Sequence, residues 1–229
     1  MAMLARFDLP SALASVVPGR PLVVTDADGV LLCFTGGLER FLDERGLYLD
    51  LTTYRLEGAI KRRDDKTPIL HVETMALLEE YRADLDCLEA VEGAVEALAE
   101  LSAVANIVVL SNVTQRQAVA RMRNFAALGM AYPLIANDGG AGYLADKGHA
   151  VKALAAKADA PTFFIDDIPA NLAAVAKAAP AVKLIHVVES EPLRALLGQD
   201  FHAHIHAENW HAVKGYIAGC LETGPDKGP

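Results

Sequence analysis

The sequence predicts an open, doubly wound, Rossmann-like α/β fold with a mostly parallel sheet and a small helical insert after the first strand. Four short apolar segments are typical of strands buried on both faces of a parallel sheet. Helical patterns lie between the later ones, and this alternation favours an α/β fold. Apolar residues make up 52% of the 229-residue chain. Many of them are alanine, the strongest helix former, so we expect a globular protein rich in helices.

The predicted strands are nearly continuous runs of β-branched, aliphatic or aromatic residues. They are residues 21–26 (PLVVTD), 106–112 (NIVVLSN), 162–167 (TFFIDD) and 182–188 (VKLIHVV). The first three end in polar residues. Because sites in open α/β sheets form beyond the carboxyl ends of the strands, these ends are the first place to look for function.

Helices are predicted before and between these strands. We expect a leading helix within residues 1–20, followed by helices over 92–103, 114–128, 149–158 and 169–178. Gly129 can terminate one of them, and Pro169 suits the first turn of another.

Residues 34–91 interrupt this alternation, because a crossover between parallel strands needs only a dozen or so residues. The segment has helical periodicity and no convincing buried strand. We therefore predict an α/β core domain formed by residues 1–33 and 92–229. Residues 34–91 form a helical cap over the carboxyl edge of the sheet.

The composition argues against several classes of protein. A net charge of −9 disfavours binding to nucleic acids or anionic membranes. No apolar run approaches the ~20 residues of a membrane span, and the N-terminus does not resemble a signal peptide. The three cysteines form no C-x-x-C pair, which is typical of a reducing compartment. We expect a cytoplasmic monomer or homodimer without nucleic-acid or membrane partners.

Acidic and polar side chains gather at the ends of three predicted strands. They are Asp26 and Asp28, then Ser111 and Asn112, then Asp166 and Asp167. Four carboxylates at one edge of a sheet require a positive counter-charge, and such an oxygen-rich group suits Mg²⁺ together with a phosphate. Lys147 precedes the helix that leads into the third of these strands, so its ammonium can pair with both a carboxylate and a phosphate oxygen.

These motifs resemble those of the haloacid dehalogenase superfamily. The first is the D-x-D-G-V-L run at residues 26–31, and the second is VVLSN with Ser111. The third is Lys147, and the fourth is FFIDDIPAN with Asp166 and Asp167. All four stand in the family's order between residues 21 and 190. The insert lies where the family carries its helical C1-type cap.

The resemblance implies distinct roles for the acids. Asp26 would be the nucleophile that forms an aspartyl-phosphate. Asp28 would protonate the leaving oxygen and then act as the base that activates water. Mg²⁺ would be held by Asp26, Asp166 and the backbone carbonyl of Asp28.

The resemblance also assigns the neighbouring polar residues. Ser111, the backbone around Asn112, and Lys147 would hold the transferring phosphoryl group. Asp167 would orient Lys147 or a metal-bound water. Asn171, one turn into the next helix, would support the site from behind.

The function implied is a Mg²⁺-dependent phosphohydrolase acting on a small phosphorylated metabolite. Dehalogenases of the superfamily lack an acid at the position of Asp28, so its presence favours phosphoryl chemistry. A phosphomutase or phosphotransferase with the same Asp26 chemistry stays open, as does a non-catalytic phospho-acceptor or binding protein on the same fold. A signalling receiver is disfavoured. In such a domain the acid pair lies on the first strand and the phospho-accepting aspartate on a later strand, whereas here the D-x-D motif comes first and the pair of adjacent acids comes late.

Two further groups have more than one interpretation. Three histidines alternate along the chain and would share one face of a strand: His202, His204 and His206. They form either a metal site or a solvated edge of the protein, and we favour the solvated edge. Lys61, Arg62 and Arg63 lie in a mixed run of charges. It is either a solvated surface, which we favour, or a part of the cap that reaches a substrate anion.

Overall fold

The computed structural model describes residues 7–52, 58–83, 85–138, 146–196 and 202–223. The strands are β1 (Leu22–Thr25), β2 (Leu47–Leu49), β3 (Ile60–Arg62), β4 (Asn106–Ser111), β5 (Leu134–Ala136), β6 (Thr162–Asp166), β7 (Lys183–Val187) and β8 (Ile205–Ala207). The helices are α1 (Leu9–Ser15), α2 (Phe34–Asp43), α3 (His71–Ala83), α4 (Ala94–Val104), α5 (Gln115–Ala127), α6 (Gly148–Ala158), α7 (Pro169–Ala178), α8 (Glu191–Leu196) and α9 (Trp210–Thr223).

Six of the strands form one parallel sheet, in the order β5-β4-β1-β6-β7-β8. The buried strand β1 lies between β4 and β6, and Val24 pairs with Val108 on one side and Phe164 on the other. Helices cover both faces. Residues of α4, α5 and α9 pack on one face, and residues of α1, α6 and α7 pack on the other. The predicted doubly wound α/β fold is therefore confirmed.

The four predicted strands correspond to β1, β4, β6 and β7. The sequence analysis missed β5 and β8, which lie at the two edges of the sheet and have three residues each. A three-residue strand is too short to show a clear apolar pattern, so neither was visible in the sequence.

The helices follow the predictions closely in the second half of the chain. Helix α5 begins with a capping box formed by Thr114 and Gln117. It ends just before Gly129, whose φ of +77° suits a glycine beyond a helix end. The predicted leading helix is shorter than expected. It ends at Ser15, ahead of Pro18 and Gly19, and residues 1–6 lie outside the described part of the chain.

The segment between β1 and α4 contains more than the predicted helices. Strands β2 and β3 pair in an antiparallel two-stranded sheet, with Tyr48 opposite Lys61, so the prediction of an insert without strands was wrong. Each strand has three residues, too few for an alternating pattern to stand out. Helices α2 and α3 meet through Phe34 and Tyr81, whose ring centroids lie 5.1 Å apart. The division into a core and a cap domain stays a prediction.

No helix within the described ranges combines the length and the apolar character that a membrane crossing requires.

Candidate active site

The carboxyl ends of three adjacent strands bring the predicted site residues together. Asp26 follows β1, and its amide donates to the carbonyl of Ile165 in β6 at 2.9 Å. Ser111 is the last residue of β4 and Asp166 the last of β6, and both are buried. Because parallel strands in register end at the same edge, residues far apart in the sequence become neighbours.

Lys147 lies fully buried between two of the acids. Its Nζ atom is 2.7 Å from Oδ2 of Asp166 and 3.0 Å from Oδ2 of Asp26. The next residue, Gly148, explains how the chain reaches this position. A Cβ atom there would lie 2.8 Å from the carbonyl oxygen of Ala174, so only glycine lets the start of α6 approach α7 this closely.

The surroundings of Asp26 and Lys147 raise the pKa of both residues. Burial, together with the charges of Asp166 and Asp28, raises the pKa of Asp26 to about 7 despite the opposing effect of Lys147. Burial acts against the Lys147 ammonium, but the carboxylates of Asp166 and Asp26 outweigh it and raise the pKa of the lysine. The lysine therefore stays charged, whereas Asp26 needs further positive charge nearby to be fully ionised at neutral pH.

Asp166 is held rigidly by donors on both of its oxygens. Its Oδ1 accepts from the amide of Ile168 and from Nδ2 of Asn171, both at 2.9 Å. Its Oδ2 accepts from Lys147 at 2.7 Å. The structure thus places Asn171 in contact with Asp166, and its role as a supporting residue of the site stays a prediction.

Three carboxylates form a group that fits a divalent cation. Ligand atoms of Asp26, Asp166 and Asp167 all lie within 4.8 Å of one another, and no other such group occurs among the residues that the structure describes. Burial, followed by the charges of Asp166 and Asp26, raises the pKa of Asp167 well above its usual value. A site of hard oxygen donors with more negative than positive charge suits Mg²⁺.

Gly29 makes room for this group of acids. Its φ is +77°, a conformation that side chains rarely adopt, and a Cβ atom there would lie 2.7 Å from Oδ2 of Asp167. A larger residue at position 29 would therefore strain the backbone and displace one of these three carboxylates.

Asp28 lies beside the group of three carboxylates, and its own side chain contacts Arg121. Its carboxylate forms an ion pair with Nη2 of Arg121, a fully buried residue of α5. Nη1 of Arg121 lies 3.4 Å from the carbonyl of Leu85, in the chain that returns from the insert to the core. The side chain of Asp28 lies outside the group of three carboxylates, and the metal contact through its backbone carbonyl stays a prediction.

The sequence analysis missed Arg121, although a signal was present. Ala118, Arg121 and Phe125 repeat at the spacing of one helical face, and all three are buried. A charged residue on the apolar stripe of a helix needs an ionic partner, which the sequence does not identify.

The strand ends open into a cavity of about 200 Å³. Its lining residues from the core edge are Asp26, Asp28, Gly29, Ser111, Asn112, Asp167, Ile168 and Leu193; those from the segment between β1 and α4 are Phe34, Thr35, Leu38, Leu49, Leu51 and Arg82. Asn112 is held by Nδ2 of Asn137, which donates to its Oδ1 at 2.8 Å. The segment predicted to be a cap therefore forms one wall of the site.

The histidines are arranged differently from the predicted row. Only His206 lies in β8, and Nδ1 of His204 accepts from the amide of Leu184. The Nδ1 atoms of His206 and the buried His186 are 3.0 Å apart, and Nε2 of His186 is 3.0 Å from the carbonyl oxygen of Asp167. His186 was missed, although a histidine within an apolar strand signals a hydrogen-bonded polar group.

The basic residues in the mixed run of charges form ion pairs with acidic residues of the insert. Lys61 pairs with Asp50, Arg62 with Glu73 and Arg63 with Asp43. None of the three basic residues is part of the described lining of the cavity. This placement agrees with the solvated surface that we favoured.

Neither a family model nor a curated protein matches the sequence. Solved structures do resemble it. A haloacid dehalogenase-like protein of unknown function from Agrobacterium tumefaciens is 14% identical with a TM-score of 0.57, covering 88% of this chain and 99% of that one. An L-2-haloacid dehalogenase is 14% identical with a TM-score of 0.57, covering 87% and 100%.

A third similar structure contains magnesium and phosphate, the ligands that the sequence analysis predicts for this site. It is a D,D-heptose 1,7-bisphosphate phosphatase from B. bronchiseptica complexed with magnesium and phosphate. It is 16% identical with a TM-score of 0.52, covering 87% of this chain and 98% of that one. At such identities the likeness concerns the fold alone.

Proposed function

We propose that this chain, which has the fold of the haloacid dehalogenase superfamily, is a Mg²⁺-dependent phosphohydrolase of a small phosphorylated metabolite. The observation that supports this most is the pair of acids two residues apart, Asp26 and Asp28, lining one cavity with Ser111 beside a buried lysine. The predicted cytoplasmic location and the absence of nucleic-acid and membrane partners stay predictions from the sequence.

In the first step, a carboxylate oxygen of Asp26 attacks the phosphorus of the bound ester. The bond between phosphorus and the ester oxygen breaks, and Asp28 gives its proton to the departing alcohol. The product is an aspartyl-phosphate on Asp26 and an ionised Asp28.

In the second step, Asp28 takes a proton from a water molecule, whose oxygen attacks the phosphorus. The acyl–phosphate bond breaks, inorganic phosphate leaves and Asp26 is restored as a carboxylate. Asp28 ends protonated, ready for the next turnover, so in each cycle Asp26 carries the phosphoryl group and Asp28 carries the proton.

The cationic groups lower the repulsion between the anionic ester and the anionic nucleophile. Mg²⁺ would be held by the group of Asp26, Asp166 and Asp167, with the backbone carbonyl of Asp28 as the further predicted ligand, and it would supply charge neutralisation. Lys147 holds Asp26 and Asp166 in place through contacts of 3.0 and 2.7 Å. Ser111 and Asn112 line the same cavity, and the Ser111 hydroxyl and the backbone at Asn112 would donate to the phosphoryl oxygens.

Arg121 gives Asp28 a fixed position at the cavity wall. Nη2 of Arg121 contacts Oδ1 of Asp28, which leaves Oδ2 as the oxygen that carries the transferred proton. The buried guanidinium restricts the carboxyl group to one orientation and stabilises its ionised form, which Asp28 reaches once it has protonated the leaving oxygen. An acid at this position supports phosphoryl transfer over dehalogenation, because a departing halide needs no proton.

The test is phosphate release from a panel of phosphate monoesters, with Mg²⁺ and with EDTA. We expect activity that needs Mg²⁺ and that Asp26→Asn abolishes. Asp28→Asn should lower kcat about 10²–10⁴-fold, the usual contribution of general acid–base catalysis. Asp64→Asn, which changes an exposed acid in a turn, is the matched control and should leave activity unchanged.

Three outcomes would contradict the proposal. They are activity that survives EDTA or Asp26→Asn, chloride release from 2-chloropropionate without phosphatase activity, and a stable aspartyl-phosphate that releases no phosphate. The last of these would instead support the phosphotransferase or phospho-acceptor alternatives.

A further inference from the structure

Beyond the polar strand ends, the cavity is lined mainly by apolar side chains, which we call its apolar wall. They are Phe34, Leu38, Leu49, Leu51, Ile168 and Leu193. The first four belong to the insert, and the other two come after strands β6 and β7. A hydrocarbon group of a substrate is stabilised here in proportion to the apolar area that it removes from water.

The polar groups that the insert contributes to the cavity are engaged within the protein. The amide of Thr35 donates to Oε1 of Glu189 at 3.0 Å, and the Thr35 hydroxyl bonds the same carboxylate. The carbonyl of Phe34 accepts from the hydroxyl of Tyr81 at 2.8 Å. The guanidinium carbon of Arg82 lies 5.7 Å from the centre of the Phe34 ring, and this side chain takes part in a further interaction within the protein.

A hydroxyl-rich leaving group therefore fits this side of the cavity poorly. Each sugar or polyol hydroxyl that is buried there loses hydrogen bonds to water, and the described residues of the insert offer few groups to replace them. A hydrocarbon chain or ring needs no such partners, so the apolar wall favours it.

The size of the cavity limits this group further. Its volume of about 200 Å³ lies below the range of roughly 300–1,000 Å³ that is typical of pockets for drug-sized ligands. After a phosphoryl group has taken its share, one ring or a short chain fills the remainder.

We infer, on the basis of the proposed function, that the substrate is the phosphate monoester of a small apolar alcohol. Its leaving group is a short hydrocarbon chain or a single ring without further hydroxyl or charged groups. The phosphate binds at Asp26 and Ser111, and the hydrocarbon lies against the apolar wall.

The test compares kcat/KM, in Mg²⁺, for methyl, ethyl, propyl and butyl phosphate and for glycerol 3-phosphate. We expect each added methylene to raise kcat/KM about two- to fourfold until the chain outgrows the cavity, because its burial is favourable. Propyl phosphate should exceed glycerol 3-phosphate by about 10–100-fold, since the two hydroxyls of the glycerol chain are left unsatisfied. Glycerol is a slightly better leaving group than propanol, so intrinsic reactivity favours the opposite order.

Two variants test whether the apolar wall causes this preference. Leu51→Asn and Leu193→Asn each place an amide on the wall at a partly exposed position. Each should lower the ratio of propyl phosphate to glycerol 3-phosphate about 3–10-fold, because an amide can bond a hydroxyl and stabilises a hydrocarbon less. Leu70→Asn is the control. It changes a leucine of the insert that is 66% exposed and outside the described lining, so the ratio should stay unchanged.

The inference is overturned if the wild type gains nothing from a longer chain, if glycerol 3-phosphate equals or exceeds propyl phosphate, or if both wall variants keep the wild-type ratio. If no ester is hydrolysed, the proposed function fails, and calorimetric binding of alkylphosphonates in Mg²⁺ then decides the inference separately. Propylphosphonate that binds about 4–16-fold more tightly than methylphosphonate supports the apolar wall as a binding surface. Equal affinity, or no binding by either, refutes it.

Discussion

Replacing Lys147 with methionine should destabilise the metal-free protein strongly, because it leaves buried carboxylates without their counter-charge. The lysine is fully buried and contacts Asp166 at 2.7 Å and Asp26 at 3.0 Å. Removing one partner of a buried ion pair costs about 3–5 kcal/mol. For a protein of this size, each 1 kcal/mol shifts Tm by about 2–4 °C, so we expect a loss of about 6–20 °C at pH 8.

The size of this loss should depend on pH. Lys147 lowers the pKa of Asp26, which burial nonetheless raises to about 7, so in the variant this carboxyl holds its proton to higher pH. At pH 5 the protonated acid needs no counter-charge, and the difference in Tm from the wild type should shrink. Saturating Mg²⁺ should also restore part of the stability at pH 8, since it binds the folded state.

The assay is thermal unfolding at pH 5 and pH 8, with EDTA and with Mg²⁺. Lys152→Met is the matched control, because Lys152 is an exposed residue of the same helix and should shift Tm little. Equal losses at both pH values, or a loss no larger than that of the control, would refute the argument that Lys147 balances buried charge.

Three other perturbations test neighbouring parts of the site. Gly29→Ala should cost about 2–5 kcal/mol in unfolding by denaturant, against about 1–2 for Gly19→Ala, which shares the positive φ but has open space at its Cβ; equal costs would contradict the predicted clash with the metal group. Asn171→Leu should weaken Mg²⁺ binding about 10–100-fold in calorimetry, because Asp166 loses a donor that orients it; unchanged affinity would argue against that role. In EDTA, Asp26 should lower stability by about 1.4 kcal/mol per pH unit as pH rises from about 4 towards 7, because the folded protein keeps a proton on Asp26 that the unfolded chain has lost; Asp167, whose pKa is also raised, acts in the same direction, so Asp26→Asn should reduce the slope without removing it, and a slope of the opposite sign would refute the shift.

Local patterns were enough to predict the fold because they repeat over many residues. The strands at 22–25, 106–111, 162–166 and 183–187 are buried runs flanked by helices, and the sheet that they form is parallel as expected. The three-residue strands of the insert and of the sheet edges escaped detection. Their pairing depends on partners distant in the sequence, and three residues give no measurable period.

The candidate site likewise has residues that the sequence predicted and contacts that only the structure revealed. Asp26, Ser111 and Asp166 were found because each follows an apolar strand, and parallel strands bring their carboxyl ends to one edge. Lys147 was found through its place in the order of motifs, whereas its full burial and its contacts with two acids emerged only from the packing of α6 on α7.

The sequence by itself determined which polar residues stand at strand ends, because each apolar run and the polar residues that follow it are adjacent in the chain. The tertiary structure alone decided that Arg121 faces Asp28, 93 residues away, and that Arg82 joins an apolar wall above the acids. The physical reason is that a side chain's partner and burial depend on how distant elements pack against one another. No local period of the sequence carries that information.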